Sequence, residues 1–153
     1  MKIGIISDTH GWLDPRVEKI FAGVDHILHA GDIGSPMIEL ELKFIAPVTL
    51  VLGNNDPDLT FKLTEIVVLG GKKFLIHHII NPRALAETAT ARIMHEQPDV
   101  VVFGHTHKQF CETLNGVLFI NPGYAGRPRF GAARSLAVLE LENSGILPKF
   151  ISL

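Results

Sequence analysis

The first third of the chain alternates short apolar runs, rich in β-branched residues, with segments of helical periodicity. Buried strands are predicted for KIGIIS, HILHAG and PVTLVLG. Helices are predicted for DPRVEKIFAGV, with Pro15 in its first turn, and for SPMIELELKFI, with Ser35 as its N-cap and Pro36 after it. Strands that alternate with helices in this way pair in parallel through right-handed crossovers, so this order predicts half of an α/β sheet.

The rest of the chain is richer in paired strands. Hairpins are predicted where turn residues split two apolar runs: around Gly70 and Gly71, around Asn115 and Gly116, and from Asn143 to Gly145. A helix is predicted for PRALAETATARIMHEQ, ended by Pro98, and a further buried strand for DVVVFG. So many strands between helices indicate two sheets packed face to face with helices outside, in a single domain over residues 1–153.

Composition argues against several classes of function. The formal net charge of -2 gives no electrostatic reason to expect a nucleic-acid or anionic-membrane partner. Cys111 is the only cysteine, which rules out an intramolecular disulfide and argues against a cysteine-based zinc site. The apolar run in MKIGIISDTH ends at Asp8, too early for a signal segment, and no run has the length of a membrane span. A cytoplasmic protein without a membrane partner is therefore expected.

Five apolar runs end in side chains that can bind a metal ion or a polar substrate. In order along the chain, these are Asp8 and His10, Asp32, Asn54, His77 and His78, and His105 and His107. Because ligands of open α/β sheets lie outside the carboxyl ends of the strands, we expect these side chains to meet in one pocket. His105 and His107 would point the same way in an extended segment, whereas the neighbours His77 and His78 cannot both point inward.

This set of ligands is too large for one ion. Two carboxylates, an amide and several imidazoles suit two divalent cations that share one carboxylate, and this mixture of nitrogen and oxygen fits Mn, Fe, Zn, Ni or Co better than Mg or Ca alone. Taken singly, Asp8 could cap a helix, and Asp32 and Asn54 could be turn residues after glycine. Their joint occurrence at strand ends favours the metal site. The other histidines are predicted to lie on the surface or in the core: His26, His29 and His95.

The same motifs, in the same order, resemble those of the calcineurin-like metallophosphoesterases. They are Asp8-Thr9-His10, Gly31-Asp32, Gly53-Asn54-Asn55-Asp56, the His77-His78 pair and Gly104-His105-Thr106-His107. The short chain and the later Asn121-Pro122-Gly123 are similar to the small YfcE-type phosphodiesterases of that family. The resemblance implies a four-layer αββα sandwich, in which helices flank two mixed β-sheets.

The resemblance also implies two divalent metal ions per chain, bridged by Asp32. Asp8, His10 and His107 would hold the first, and Asn54, one histidine of the pair and His105 would hold the second. His78 is favoured over His77 because it lines up with the family pattern, although Ile79 follows where the family usually has glycine. Manganese is the first candidate for the metal, and nickel, cobalt, zinc and iron are the alternatives.

Two further positions depart from the family pattern. Many relatives carry a histidine where this chain has Asn55, and an amide cannot act as a general acid near neutral pH. Tyr124 stands where the family often has serine. The loop after it supplies Arg127 and Arg129, which are either phosphate clamps, because guanidinium matches phosphate oxygens in pairs, or part of a solvated basic loop.

The implied activity is hydrolysis of a phosphate ester by in-line attack of a hydroxide that bridges the two metal ions. Asn55 would orient the substrate, and Asp56 would orient the residues that surround and support the metal ligands. Without an acid at Asn55, substrates with good leaving groups or diesters are favoured. A phosphodiesterase acting on small phosphodiesters or nucleotide-like compounds is therefore expected.

The alternative is a protein-binding scaffold of the same fold with little catalytic role, similar to the small retromer subunit of eukaryotic membrane trafficking. Such a scaffold typically loses the histidine of the first motif. His10 is present and every ligand position is filled, which favours the enzyme. Edge strands of the terminal hairpin offer one route to a homo-oligomer.

Overall fold

The computed structural model describes residues 1–142 and 145–153, and contains ten strands and three helices in that part of the chain. The strands are β1 (Lys2–Ile6), β2 (His26–His29), β3 (Val48–Leu50), β4 (Thr64–Leu69), β5 (Lys72–His77), β6 (Val100–Val102), β7 (Gln109–Leu114), β8 (Val117–Pro122), β9 (Ser135–Glu142) and β10 (Gly145–Ser152). The helices are α1 (Arg16–Ile20), α2 (Pro36–Lys43) and α3 (Glu87–Glu96).

The first sheet has the strand order β10-β9-β1-β2-β3. Its β1, β2 and β3 pair in parallel, with Ile5 opposite Leu28 and His29 opposite Leu50. Helices α1 and α2 form the connections between these strands, as the alternation in the first third of the chain predicts. The last two strands join antiparallel, β9 beside β1 and β10 beside β9, so the sheet is mixed.

The second sheet has the order β4-β5-β6-β8-β7, with β5, β6 and β8 parallel and a hairpin at each edge. The β7–β8 turn uses Asn115 and Gly116, both at positive φ (50° and 82°), which suits the twist of a two-residue hairpin. The third predicted hairpin forms between β9 and β10, but Asn143 in its turn lies outside the described residues.

Apolar side chains fill three spaces and so define four layers. The central core lies between the sheets and includes Ile5, Leu28, Phe74, Ile76 and Val102. On the outer face of the first sheet, Ile27 and Val138 pack with Val17 of α1 and with Ile38 and Leu42 of α2. On the outer face of the second sheet, Leu75 and Val101 pack with Ala89 and Ile93 of α3. The predicted αββα sandwich is confirmed.

The helices differ in length from their predicted ranges. Ser35 caps α2 as predicted, its Oγ accepting from the backbone N–H of Met37 at 3.3 Å. Helix α1 ends at Ile20, and α3 begins at Glu87, after Ala86 in an extended conformation, instead of at Pro82. Among the described residues, no helix combines the length and apolar character needed to cross a bilayer.

Candidate metal centre

The segments that follow β1, β2, β5 and β6 bring predicted ligands together at the carboxyl ends of strands from both sheets. Donor atoms of Asp8, His10 and His107 all lie within 4.8 Å of one another, and so do donor atoms of Asp8, Asp32 and His78. Asp8 therefore belongs to both groups. The two groups are the only sets of three or more such donors found among the described residues.

The loops that carry the remaining predicted ligands, Asn54 and His105, adjoin this cluster. The ring centroid of His105 is 5.4 Å from that of His78, and the His105 backbone N–H donates to Asp8 Oδ2 at 3.3 Å. Asn54 is exposed in the turn between Gly53, whose backbone N–H donates to Asp56, and Asn55, whose backbone N–H donates to Asp32 in the cluster. The loop carrying Asn54 is thus held in place at both sides.

The carboxylate of Asp32 faces a different histidine with each of its oxygens. Oδ2 lies 3.8 Å from His10 Nε2, and Oδ1 lies 3.4 Å from His78 Nε2. The Asp8 Oδ1 atom lies 3.3 Å from His107 Nε2. Atoms that bind the same cation at about 2 Å are separated by about 3 Å, so these spacings suit shared ions.

Three buried polar atoms have no hydrogen-bond partner within the described ranges: Asp8 Oδ1, His10 Nε2 and His78 Nε2. Leaving a buried donor or acceptor unsatisfied costs about 1–3 kcal/mol, and native proteins seldom do so without a function. All three atoms belong to the donor groups described above. Carboxylate oxygen and imidazole nitrogen form a set that fits a divalent transition metal, so the residues present fit the ions that the sequence predicts.

The ligand-bearing loops hold an unusual backbone conformation. Positive φ values occur at Asp8 (58°), His10 (47°), Asp32 (53°), His105 (67°) and His107 (58°). The left-handed region costs a residue with a Cβ atom about 1–2 kcal/mol, and such residues cluster at functional sites. In the loop after β1, the backbone N–H groups of Asp8 and His10 donate to the carbonyl oxygens of Gly31 and Asp32 in the loop after β2. These hydrogen bonds hold the first loop in the left-handed conformation.

The predicted extended geometry of His105 and His107 is therefore wrong. Both residues lie beyond the end of β6 in the left-handed region, so their side chains do not share a face. The His105 ring lies beside His78, whereas the His107 ring centroid is 5.6 Å from that of His10. The two histidines accordingly lie on opposite sides of the cluster, His105 beside His78 and His107 beside His10.

The neighbours His77 and His78 face opposite sides of the second sheet. His78 is buried, and its Nδ1 lies 2.6 Å from the carbonyl oxygen of Ala30. A carbonyl only accepts, so Nδ1 carries the proton and Nε2 keeps a free lone pair toward Asp32. His77 turns away and contacts Thr64 Oγ1 at 2.8 Å and the Leu63 carbonyl at 3.0 Å. The structure thus places His78 at the site.

Asn55 and Asp56 both hold other parts of the site in position. The Asn55 backbone N–H donates to Asp32 Oδ1 at 2.9 Å, and its side-chain amide donates to Asp32 Oδ2 at 2.6 Å. Asp56 is buried and accepts from the backbone N–H groups of Ile33, Gly34 and Gly53. It therefore ties the Asp32 loop to the Asn54 loop. The predicted contact of Asn55 with substrate stays a prediction.

Burial and hydrogen bonding set the charges of the cluster. Burial raises the pKa of Asp8 to about 6. Burial also lowers the pKa of His10 and of His107, and the positive charge of Arg129 acts in the same direction. Burial opposes ionisation of Asp32, but hydrogen bonds from Asn55 hold its pKa below the ordinary value. Neutral imidazoles beside an ionised carboxylate are the forms that bind a metal ion.

The two arginines that were predicted as phosphate clamps make different contacts with Tyr124, which lies beside the site. The Arg129 guanidinium carbon lies 5.1 Å from the centre of the Tyr124 ring, and that ring stacks on His107 with 4.7 Å between centroids. Arg127 is exposed, and its carbonyl oxygen accepts from the Tyr124 hydroxyl at 3.0 Å. Of the two side chains, Arg129 is the one placed beside the cluster.

Sequence reasoning missed the part played by His29. This residue is fully buried, and its Nδ1 accepts from the Gly31 N–H at 3.2 Å. Its Nε2 lies 2.9 Å from Thr9 Oγ1, which donates to the Ile33 carbonyl at 3.0 Å. A neutral His29 therefore links the loop after β1 to the loop after β2. A polar residue inside the apolar run HILHAG was the available signal.

His29 makes stability depend on pH. Burial lowers its pKa from 6.5 to about 4, so the unfolded chain binds the proton more tightly than the folded protein does. The contribution is complete above pH 6.5 and is lost as pH falls toward about 4, which amounts to up to about 3 kcal/mol. Urea unfolding across this window should show a flatter profile for His29→Gln, which keeps a donor and an acceptor without titrating. Equal slopes would contradict the prediction.

Comparison with known proteins identifies the family. A family model described as calcineurin-like phosphoesterase superfamily domain matches residues 1–144. The chain belongs to the calcineurin-like phosphoesterase superfamily. The predicted family is thereby confirmed, and the divalent metal ions that it implies fit the donor groups of the cluster.

Several relatives in this superfamily are named as phosphoesterases. The chain is 35% identical over 139 residues to a probable metallophosphoesterase from Methanothermobacter thermautotrophicus, covering 84% of this chain and 80% of that protein. It is 33% identical over 143 residues to a phosphodiesterase from Methanocaldococcus jannaschii, covering 80% and 83%. The phosphodiesterase YfcE from Escherichia coli is 27% identical over 168 residues, covering 92% and 88%.

Solved structures of other proteins share the whole fold. An archaeal phosphodiesterase superposes with a TM-score of 0.77 at 26% identity, covering 100% of both chains. Vps29 from Entamoeba histolytica, as a single mutant, superposes with a TM-score of 0.77 at 20% identity, covering 100% of this chain and 99% of that one. The likeness to Vps29 concerns the fold alone.

Proposed function

We propose that the chain is a dinuclear metal-dependent phosphodiesterase that hydrolyses small phosphodiesters. The observation that carries this proposal is the position of Asp32, whose two oxygens face His10 and His78 at 3.8 Å and 3.4 Å. A carboxylate in this position can bridge two cations, one in the half of the cluster that contains His10 and His107 and one in the half that contains His78 and His105. The phosphodiesterase names of two relatives support the choice of substrate class.

The proposed ligands divide between the two halves. Asp8, His10 and His107 would hold one ion, Asn54, His78 and His105 would hold the other, and Asp32 would bridge them. Asp8 lies near both halves, so its charge acts on both ions. Manganese is the first candidate, and nickel, cobalt, zinc and iron suit the same mixture of nitrogen and oxygen ligands.

When bound by these residues, two divalent cations would supply a hydroxide nucleophile near neutral pH and would neutralise charge on the phosphoryl oxygens. The side chains of the protein orient the reactants. Asn55 holds Asp32 through two hydrogen bonds, and Asp56 fixes the loops behind it. Arg129 binds a phosphoryl oxygen. Since Asn55 cannot protonate a leaving oxygen, esters with good leaving groups react fastest.

The test is hydrolysis of bis-p-nitrophenyl phosphate beside p-nitrophenyl phosphate. Metal-stripped protein is refilled with Mn, Ni, Co, Zn or Mg in separate samples. We expect diester turnover that requires metal and exceeds monoester turnover. Failure of every metal to support diester turnover, in protein that binds two ions, would contradict the proposal.

The adjacent histidines give a matched pair of variants for the ligand assignment. His78→Gln is expected to weaken binding of the metal ions at least about tenfold, because Nε2 of this buried residue faces Asp32. His77→Gln should bind metal like the unmodified protein, since its ring contacts Thr64 and Leu63 instead. Competition with a chromogenic chelator measures both affinities. A larger loss in His77→Gln would reverse the assignment.

A protein-binding scaffold of the same fold is the second candidate. The resemblance to Vps29 supports it at the level of the fold, at 20% identity. The two groups of donors and their unsatisfied buried atoms support the enzyme instead. Metal-dependent diester turnover separates the two, because a scaffold requires none.

A further inference from the structure

Tyr124 departs from the family pattern and is almost fully buried beside the cluster, with 1% of its surface exposed. We infer that Tyr124 is a positioning residue that holds the Arg129 guanidinium at the Asp8–His10–His107 half of the site, where the guanidinium binds a phosphoryl oxygen. The inference rests on the proposed function for its ligand. It also assigns phosphate binding to Arg129 and not to Arg127.

The Tyr124 ring contacts both the cluster and the arginine. It stacks on the His107 ring at 4.7 Å with 27° between the planes, and its centroid lies 6.1 Å from that of His10. The Arg129 guanidinium carbon lies 5.1 Å from the same ring centre, within the range of a cation–π contact. One aromatic ring therefore joins Arg129 to two of the proposed metal ligands.

The segment from Tyr124 to Arg129 is folded around that ring. The Tyr124 hydroxyl donates to the carbonyl oxygen of Arg127, which closes the segment over the side chain. A Cβ atom on Gly126 would lie 2.5 Å from the hydroxyl oxygen, so only glycine allows this close approach. Arg134, the residue before β9, donates from Nε to the Gly126 carbonyl at 2.7 Å and so anchors the segment to the first sheet.

This packing places the Arg129 guanidinium against the Tyr124 ring, which limits the conformational freedom of that side chain. An arginine loses side-chain entropy when it binds an anion, and a contact that orders it beforehand reduces that loss. The ring supplies such a contact for Arg129. Both arginines are exposed, but Arg127 contributes its carbonyl oxygen to the folded segment, whereas the Arg129 guanidinium carbon lies 5.1 Å from the Tyr124 ring centre. Because Tyr124 is buried, it acts on substrate through Arg129 and not by direct contact.

The experiment measures binding of inorganic phosphate to manganese-loaded protein by calorimetry, which requires no turnover. Arg129→Gln is expected to weaken phosphate binding about tenfold, the usual effect of losing a charge-assisted hydrogen bond. Tyr124→Leu should weaken it by a similar factor, and Tyr124→Phe, which keeps the ring, by less. Arg127→Gln removes an equal charge two residues away and should have the smallest effect of the four.

The double variant Tyr124→Leu with Arg129→Gln decides the mechanism. If Tyr124 acts through Arg129, the double variant should bind phosphate within about twofold of Arg129→Gln, because dependent effects do not add. Metal content is measured for each protein. Additive losses, a loss in Tyr124→Leu that follows loss of metal, or absence of phosphate binding by the unmodified protein would overturn the inference. Phosphate binding without diester turnover would instead count against the proposed function alone.

Discussion

Asp32→Asn is expected to lower metal-dependent hydrolysis of bis-p-nitrophenyl phosphate by at least about 10³-fold. The amide has about the size of the carboxylate but carries no charge, and one of its two terminal atoms is a donor that repels a cation. Asp32 faces both His10 and His78, so the substitution affects both halves of the cluster. We expect the protein to retain about one ion per chain at most, which removes the charge stabilisation supplied by a pair.

The measurement combines kcat/KM for the diester with metal content by mass spectrometry. Asp58→Asn is the matched control, because it makes the same change at an exposed carboxylate in the segment after β3. Circular dichroism shows whether both variants keep the fold. Retention of two ions and of more than about a tenth of the activity by Asp32→Asn would rule out the bridging role.

Asp14→Asn is expected to lower the free energy of unfolding by about 3–5 kcal/mol, because it leaves a buried arginine without its counter-ion. Arg134 is 8% exposed, and its Nη2 donates to Asp14 Oδ2 at 2.7 Å. The same guanidinium lies 4.9 Å from the centre of the Trp12 ring. Arg16 binds both oxygens of the same carboxylate, with Nε 2.9 Å from Oδ1 and Nη2 2.7 Å from Oδ2, and its hydrogen bonds hold the pKa of Asp14 well below its ordinary range. This network joins the segment after the first ligand motif to the segment after Tyr124.

Denaturant unfolding at constant metal concentration measures the loss. Glu140→Gln, which breaks an exposed ion pair with Lys2 at 3.3 Å, is the control and should cost less than about 1 kcal/mol. Replacing both buried partners, Asp14→Leu with Arg134→Met, should cost less than Asp14→Asn alone, because no buried unpaired charge remains and the Arg16 side chain is exposed. An Asp14→Asn protein no less stable than Glu140→Gln would show that the buried pair contributes little.

Elements specified by neighbouring residues were predicted well. The Asn115–Gly116 turn and the Ser35 cap both form, because each depends on backbone preferences within a few residues. Helix ends were less predictable. The periodic pattern continues past Ile20 and begins before Glu87, but helix length depends on packing against the sheets, which a local pattern does not record.

The sequence by itself determined the succession of strands along the chain, the family and the predicted set of ligand residues, because strand ends and short motifs are written in consecutive residues. Only the tertiary structure decided how those ligands divide. His105 and His107 separate because their backbone is left-handed, and that loop is held by Asn121, whose amide donates to the Gly104 carbonyl at 2.7 Å. Asp8 depends likewise on the Gly31 carbonyl, which accepts its N–H at 3.0 Å. Such bonds join residues far apart along the chain, so the direction of each ligand is set by contacts that form only on folding.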